Sequence, residues 1–391
     1  MSRFNFDEIV NRKGTDSIKW DHLESHFGRD DLLPLWVADM DFKSPPEITE
    51  AMLKVAQHGL YGYVLPRDDY FNAVIGWMDR RFDWRIERDW ILTVPGIVPA
   101  IGLAVNTFTK PGEKVIVQQP VYHPFMNVVK EAERKVLNNT LLETEDGYKI
   151  NFKQLEDMAS DPETKMMILC SPHNPVGRVW ASDELAQIVE ICEKHDVLIV
   201  SDEIHQDLIH KGHIHVPTAK LASENARIIT CTAPSKTFNV AGIFASNIII
   251  SNSEVREEFK ACLDKAHLMP TAFTIQGVIA AYNYGEPWLE ALLGYLEDNI
   301  DFVEEYLEKE LPRVKFRKPD ATFLLWLDFR DYGLSSKELE RLIKDEALVA
   351  LNKGWMFGRE GAGHMRLNIG CPRDILKEAL DRIRDVFLAL D

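Results

Sequence analysis

The chain has 391 residues, of which 46% are hydrophobic, and this length and composition predict a folded protein with a large core and two domains. Its formal net charge of −17 argues against a nucleic-acid or anionic-membrane partner, although a few local cations could still bind a small anionic substrate. The N-terminus lacks the apolar core of a secretory signal, and no apolar run reaches membrane-spanning length, so we expect a cytoplasmic protein.

Cysteine usage is consistent with that compartment. Five cysteines, at positions 170, 192, 231, 262 and 371, form no CxxC pair and no zinc-ligand spacing. An odd, scattered set of this kind favours core thiols in a reducing cytosol over disulfides or a metal site.

Short apolar runs in the middle of the chain predict strands. They occupy residues 114–118, 166–170, 197–201, 228–231 and 246–251. Successive residues are apolar in the first three runs, which is typical of parallel strands buried on both faces. Between two of the runs, Ser182 is a predicted N-cap for a helix that continues to about His195. This alternation of strand and helix predicts a parallel α/β sheet with helices on both faces.

The C-terminal part of the chain has a different character and predicts a second, smaller α/β unit. Residues 288–311 and 375–390 repeat apolar residues at helical spacing, and residues 321–328 resemble a strand. Ser335 and Glu338 match a capping box, which predicts the start of another helix.

Three polar residues follow predicted strands and carry the main functional prediction. Asn174, Asp202 and Lys236 each come after a strand, and ligands of open parallel sheets bind outside the carboxyl ends of the strands. Alone, each has a structural interpretation: an Asn-Pro turn, an acidic helix cap and a solvated lysine. Together and in this order, they are what an enzyme needs to hold pyridoxal 5′-phosphate, with the lysine as Schiff-base partner and the carboxylate on the pyridinium nitrogen.

The order and spacing of these residues resemble fold type I pyridoxal-phosphate enzymes, the aspartate aminotransferase superfamily, and within it the cystathionine β-lyase (C–S lyase) branch of the MalY/PatB type. The resemblance rests on motifs along almost the whole chain, at residues 33–42, 61–63, 93–99, 120–124 and 365–370. It implies a large cofactor-binding domain, 46–285, with a mostly parallel sheet flanked by helices. It also implies a small C-terminal α/β domain, 286–391, against which the N-terminal arm 1–45 packs.

The resemblance assigns a role to each of the three residues and to Tyr122. Lys236 is the imine partner of the cofactor and, after the substrate amine displaces it, the general base at the substrate Cα. Asp202 keeps the ring nitrogen protonated, because a carboxylate in contact with that nitrogen raises the nitrogen's pKa. Asn174 hydrogen-bonds the ring phenolate, and Tyr122, unless it is only a core tyrosine, stacks on the ring as a second catalytic residue.

The phosphate of the cofactor needs backbone donors at a helix start. Gly96, Ile97 and Val98 follow an apolar run and match the phosphate loop of this branch, although an ordinary Pro-Gly turn is the alternative. Ser235 can add a hydroxyl donor. Tyr63 matches a tyrosine that reaches the phosphate in the neighbouring subunit, so the resemblance implies a homodimer with composite active sites.

Two further residues complete the predicted site. Arg366 lies in a strand-like run, where its guanidinium suits the α-carboxylate of an amino-acid substrate, and a structural ion pair is the alternative. His205 is ambiguous and is expected to support the site near Asp202. The histidines at positions 210, 213 and 215 superficially resemble metal ligands, but no acidic cluster matches them, and we expect no metal.

One departure from typical aminotransferases decides the predicted reaction. They carry a second phosphate-binding arginine eight residues after the lysine, where this chain has Phe244, and the lyase branch shares this loss. The resemblance therefore implies α,β-elimination of L-cystathionine, L-cystine or related cysteine S-conjugates to a thiol, pyruvate and ammonia. An aminotransferase is the alternative, a decarboxylase is less favoured, and a non-enzymatic regulatory protein on this scaffold is the alternative from another class.

Overall fold

The computed structural model of the protein describes residues 4–223 and 225–390, in which β-strands form a seven-stranded sheet, a four-stranded sheet and two short pairs. The strands in chain order are Leu33–Pro34 (β1), Ile91–Val94 (β2), Lys114–Val117 (β3), Lys135–Asn138 (β4), Leu142–Thr144 (β5), Gly147–Lys149 (β6), Thr164–Cys170 (β7), Leu198–Asp202 (β8), Ile228–Thr232 (β9), Ser246–Ile249 (β10), Lys315–Phe316 (β11), Leu324–Asp328 (β12), Val349–Ala350 (β13), Asn352–Lys353 (β14) and His364–Asn368 (β15).

The α-helices connect and cover these strands. They are Ile18–Asp21 (α1), Leu23–Phe27 (α2), Pro46–His58 (α3), Asp68–Phe82 (α4), Ile97–Phe108 (α5), Pro124–Glu131 (α6), Phe152–Ala159 (α7), Ser182–Lys194 (α8), Pro234–Thr237 (α9), Ser253–Ala266 (α10), Ala272–Tyr284 (α11), Glu286–Glu310 (α12), Ser336–Arg341 (α13) and Arg373–Phe387 (α14). A π-helical turn, Leu342–Glu346, follows α13. No helix in the described part of the chain is long and apolar enough to cross a membrane.

The seven-stranded sheet has the order β2-β10-β9-β8-β7-β3-β4 and is buried on both faces. Alternate residues of β7 enter two different hydrophobic clusters: Met166 and Ile168 pack on one side, and Met167 and Leu169 pack on the other. Helices α5, α6 and α10 contribute to the first cluster, whereas α7 and α8 contribute to the second. This arrangement confirms the predicted mostly parallel α/β sheet with helices on both faces.

One predicted strand runs in the opposite direction. The pattern at 246–251 placed it with the parallel strands, but β10 pairs antiparallel with both β2 and β9. Because the connection from β9 contains only α9 and a short 3-10 turn, the chain re-enters the sheet at the same end. The predicted cap at Ser182 is also displaced: Ala181 is the N-cap residue of α8, and its N–H is bound by the Glu184 carboxylate at 2.9 Å.

The four-stranded sheet, β11-β12-β15-β14, is antiparallel, and α12 and α14 contribute to the cluster that covers it. The predicted cap at Ser335 is confirmed, since its Oγ accepts a hydrogen bond of 3.2 Å from the Glu338 N–H at the start of α13. Near the N-terminus, β1 pairs in parallel with β13, with Leu33 opposite Val349. The division at residues 45 and 285 stays a prediction.

Candidate active site

The carboxyl ends of β7, β8 and β9 form one edge of the larger sheet. Cys170 at the end of β7 is opposite Asp202 at the end of β8, and Asp202 is opposite Cys231 of β9. Asn174 lies in the loop that follows β7, and Lys236 lies on α9, just after β9. The apolar strands therefore bring the three predicted residues to the same edge of the sheet.

The side chain of Lys236 reaches the N-terminal segment. Its Nζ donates a hydrogen bond of 2.5 Å to the backbone oxygen of Ala38. Burial lowers the pKa of Lys236 from 10.5 to about 8. The carboxylates of Asp39 and Asp202 oppose this shift, and the Arg366 guanidinium adds to it. An amine with this pKa is available as a base near neutral pH.

Asp202 is a buried carboxylic acid whose ionised form is poorly stabilised by its surroundings. It accepts a hydrogen bond of 3.1 Å from the backbone N–H of Ile204. Burial raises its pKa from 3.8 to about 7, and this hydrogen bond and the charge on Lys236 offset the shift only in part. A cationic N–H donor of a ligand would stabilise the ionised carboxylate.

Arg366 is buried on β15 and is held by neutral partners. Its guanidinium donates to the side-chain oxygens of Asn174 (3.0 Å) and Asn352 (2.6 Å) and to the backbone oxygen of Trp36 (2.9 Å). The guanidinium also lies 5.0 Å from the centre of the Phe357 ring. Asn174 Oδ1 thus binds Arg366, and its Nδ2 is the group left for the predicted bond to a ring phenolate.

The charge of Arg366 has no counter-charge among these partners. Burial lowers its pKa to about 10, and its buried Nε has no hydrogen-bond partner in the described part of the chain. A buried cation of this kind is costly unless an anion joins it. The site is therefore suited to a ligand carboxylate.

Tyr122 and the predicted phosphate loop lie on neighbouring connections. Tyr122 is half-buried between β3 and α6, and burial raises its pKa, with the charge of Asp202 acting in the same direction. Gly96 is the N-cap of α5 with φ of +109°, a conformation that L side chains rarely adopt. The amides of Ile97 and Val98 follow in the first helical turn, where N–H groups have no intrahelical acceptor.

Two hydrogen bonds place the start of α5 next to the lysine segment. Ser246 Oγ donates to Val94 O at 2.6 Å, just before Gly96. The preceding residue, Ala245, accepts a weak bond of 3.5 Å from Ser235 Oγ. Ser235 is thus adjacent to Lys236 in sequence and linked to the residue before β10, and its role as a phosphate donor stays a prediction.

His205 is a buried neutral imidazole. Its Nδ1 has no hydrogen-bond partner in the described residues, and its ring packs at 6.0 Å, edge to face, on Phe323. Burial lowers its pKa well below 6.5, and the charges of Lys236 and Arg366 act in the same direction. His205 therefore carries no charge at neutral pH.

The other histidines do not converge. His210 Nε2 is 2.7 Å from the Thr322 carbonyl, and His215 Nε2 is 3.0 Å from the Glu203 carboxylate. His213 is more exposed. His210 and His215 are buried, and each has its own hydrogen-bond partner, which accounts for its burial.

Tyr63 does not reach the site within its own chain. It is 98% exposed in the stretch between α3 and α4, so its predicted contact requires a second molecule. Phe244, in place of the aminotransferase arginine, is 65% exposed and adopts a positive φ of 50°. It offers no charge to a phosphate.

Several groups in the site were not predicted from the sequence. They are the backbone oxygens of Trp36 and Ala38 and the side chains of Asp39, Asn352 and Asn368. The first three lie in the motif at 33–42, which the sequence marks as distinctive without giving it a role. Asn368 follows Arg366 by two residues, a spacing that places both on the same face of β15.

Comparison with known proteins gives a consistent assignment. The family model for aminotransferase class I and II matches residues 30–383. Cystathionine beta-lyase PatB of Bacillus subtilis is 46% identical over 382 residues, which cover 97% of this chain and 99% of PatB. Protein MalY of Escherichia coli is 33% identical and is matched over 96% of this chain and 97% of its own.

Solved structures agree with this assignment. Cystalysin from Treponema denticola, described as containing pyridoxal 5′-phosphate, is 38% identical, with a TM-score of 0.96, and covers 99% of this chain and 100% of its own. A PLP-bound C–S lyase from Staphylococcus hominis is 31% identical, with a TM-score of 0.92 and 98% of both chains covered. The resemblance expected from the sequence is confirmed, and the chain belongs to the aminotransferase class I and II family.

Proposed function

We propose that the protein is a pyridoxal 5′-phosphate-dependent carbon–sulfur β-lyase that acts on L-cystathionine, L-cystine or related cysteine S-conjugates. The observation that carries the proposal is the convergence of a low-pKa amine (Lys236), a buried acid (Asp202) and a buried guanidinium held by neutral hydrogen-bond partners (Arg366). The full-length similarity to PatB, a cystathionine beta-lyase, supports the choice of reaction.

The residues of the site fit the cofactor. Asp202 has the raised pKa of a buried carboxyl group that no cation hydrogen-bonds among the described residues, and the protonated ring nitrogen would provide such a partner. The first-turn amides of α5, at Ile97 and Val98, would hold the phosphate, with Ser235 as a further donor. When bound, pyridoxal phosphate supplies a ring that accepts negative charge from the substrate Cα.

Lys236 then serves as the base. Its amine, with a pKa of about 8, can take the Cα proton and bear the resulting positive charge beside the Ala38 carbonyl. Arg366 binds the substrate carboxylate and fixes the orientation of the Cα–H bond. This role disfavours decarboxylation, because the group that would leave is the one held most firmly.

Elimination competes with transamination at the same site, and the choice of lyase rests on two points. Phe244 replaces the arginine of typical aminotransferases, and the compared relatives include PatB and a C–S lyase. In the proposed reaction, water and L-cystathionine give homocysteine, pyruvate and ammonia, so no keto acid is consumed.

The test is to incubate the cofactor-loaded protein with L-cystathionine, with and without an added keto acid, and to identify the products. The proposal predicts homocysteine, pyruvate and ammonia in equal amounts without the keto acid. Turnover that requires the keto acid would identify an aminotransferase instead.

The assembly is part of the proposal. Tyr63 is fully exposed, next to the exposed apolar side chains of Leu60, Tyr61 and Leu65. An apolar patch of this kind on a folded chain is suited to burial against a partner. We propose that a second copy of the chain covers it and receives Tyr63 at its cofactor phosphate.

A further inference from the structure

The segment 36–42, here called the strap, contacts both functional cations of the site. The backbone oxygen of Trp36 accepts a hydrogen bond of 2.9 Å from the Arg366 guanidinium. The backbone oxygen of Ala38 accepts one of 2.5 Å from Lys236 Nζ. Because Arg366 lies on the four-stranded sheet and Lys236 follows a strand of the seven-stranded sheet, the strap connects the two parts of the site.

A single side chain binds the peptide units before and after the one that contains the Ala38 carbonyl. Asn368 Nδ2 donates to Val37 O at 2.6 Å and to Asp39 O at 2.7 Å, while its Oδ1 accepts from Gly370 N–H at 2.8 Å. The Asn368 side chain is buried. Since both neighbours of the Ala38 carbonyl are held, the direction of that carbonyl is fixed as well.

The far end of the strap is held in the same manner by the loop that follows α9. Asn239 Nδ2 donates to the backbone oxygens of Met40 and Phe42, both at 2.8 Å, and its Oδ1 accepts from Met40 N–H at 2.9 Å. Asn239 lies three residues after Lys236, and Asn368 lies two residues after Arg366. Each functional cation is therefore followed in its own segment by an asparagine that binds the strap.

Charged side chains hold the strap from the N-terminal side. Lys19 Nζ, fully buried, lies 2.6 Å from the Asp41 carboxylate, and Arg12 pairs with both Asp39 and Asp41 at 2.8 Å. Burial alone would raise the pKa of Asp41, but its bonds to Lys19, Trp20 and Arg12 leave that pKa below its ordinary value. The Asp41 carboxylate thus stays ionised and bound.

We propose that Asn368 is a positioning residue that holds the Ala38 carbonyl where it receives the Lys236 amine each time that amine is released from the cofactor. The proposal rests on the proposed function only in that Lys236 is the proton acceptor. The neutral amine donates one N–H to Ala38 O and keeps its lone pair for the Cα proton. The ammonium that forms remains beside the same oxygen, and the negative charge of Asp39 favours it.

The structure offers a matched control in Asn299 on α12. Its Nδ2 also bridges two backbone oxygens two residues apart, those of Ile369 (3.0 Å) and Cys371 (3.1 Å), and its side chain is also buried. Asn299 does not bind the strap. Asn368→Ala and Asn299→Ala therefore remove similar groups, and only the first removes hydrogen bonds to the peptide oxygens of Val37 and Asp39.

The experiment measures proton transfer without C–S cleavage. Cofactor-loaded wild type and both variants are incubated with L-alanine in D₂O, and exchange of the Cα proton is followed by NMR. We expect Asn368→Ala to exchange at least tenfold more slowly than wild type, and Asn299→Ala to stay within twofold. Exchange by the wild type without cleavage of L-cystathionine would refute the proposed lyase and leave this inference standing.

Two readouts separate positioning from a loss of structure. In Asn368→Ala, cofactor affinity should stay within twofold of wild type, and the absorption spectrum of the substrate-free enzyme should be unchanged. In that state the lysine is bonded to the cofactor rather than to Ala38. Amide hydrogen exchange of residues 36–42 in the cofactor-free protein should quicken in Asn368→Ala and not in Asn299→Ala. If Asn368→Ala does not fold, Asn368→Ser, whose one hydroxyl cannot bridge both carbonyls, replaces it. Equal Cα exchange rates in the Asn368 and Asn299 variants would overturn the inference.

Discussion

Asn174 and Arg366 are joined by a hydrogen bond of 3.0 Å, although 192 positions separate them in the chain. The bond occupies the amide oxygen of Asn174 and thereby fixes which way the amide faces, with Nδ2 left as donor. The residue proposed to bind the substrate carboxylate is thus in contact with the residue proposed to bind the cofactor ring.

Arg366→Ala should weaken amino-acid substrates and leave the cofactor in place. Loss of a charge-assisted pair with the substrate carboxylate costs about 1.5–3 kcal/mol, which corresponds to a kcat/KM lower by roughly 10- to 150-fold. Arg366→Lys should recover only part, because an ammonium cannot form the planar two-bond contact. Steady-state kinetics with a cofactor titration measure both effects. Unchanged kinetics in the alanine variant would show that Arg366 is structural.

In the cofactor-free protein, Lys236 should react with an amine-selective reagent such as acetic anhydride with a midpoint near pH 8. Burial lowers its pKa from the 10.5 of an ordinary lysine to about 8. Because the Asp202 carboxylate raises the pKa of Lys236, Asp202→Asn should move the midpoint lower still. Mass spectrometry of the peptide containing Lys236 gives the profile, with the peptide of the exposed Lys54 as reference. A midpoint above pH 10 would contradict the proposed base.

The effect of Asp202→Asn on the stability of the cofactor-free protein should depend on pH. The folded pKa of Asp202 is raised from 3.8 to about 7, so the folded state binds more protons than the unfolded state in this window. Wild-type stability therefore falls as pH rises from about 4 to 7, and the asparagine variant escapes this loss. Urea unfolding at pH 5 and pH 8 should show the variant gaining relative to wild type at the higher pH. An equal difference in unfolding free energy between variant and wild type at the two pH values would show that burial does not raise the pKa of Asp202.

The part of the site at the carboxyl ends of the strands could be predicted from the sequence because its signals are local. Each of Asn174, Asp202 and Lys236 follows a short apolar run, and parallel strands place such residues together. The same local reasoning identified the antiparallel β10 as parallel, since periodicity reports burial and not direction. Direction depends on the content of the connection, which here is a short helix and a turn.

The strap could not be predicted for a different reason. Its contacts to Lys236 and Arg366 use backbone oxygens, which every residue has, so no residue type marks them. The partners are distant in sequence: 198 positions separate Lys236 from Ala38, and 330 separate Arg366 from Trp36. Only the three-dimensional arrangement of the two sheets brings these groups within hydrogen-bond distance.

The composite dimer makes a complementation prediction. If Tyr63 of one subunit reaches the phosphate bound near Lys236 of the other, a mixed dimer of Tyr63→Phe and Lys236→Ala chains collects both defects in one site. The second site then has the wild-type lysine and tyrosine. Mixing the two inactive or weakened proteins should therefore create one site with wild-type cofactor affinity in each mixed dimer.

The effect of the tyrosine alone sets the size of the signal. Tyr63→Phe removes one hydrogen bond, so cofactor affinity should fall by about 0.5–1.5 kcal/mol, or roughly 2- to 13-fold, and by more if the phosphate bond is fully charged. The assay is lyase turnover at limiting cofactor, before and after subunit exchange. A double variant with both changes in one chain, mixed with wild type, is the control: each mixed site then carries one defect, and none is fully restored. A protein that is monomeric and fully active at assay concentration would contradict the composite site, because Tyr63 is too exposed to serve its own chain.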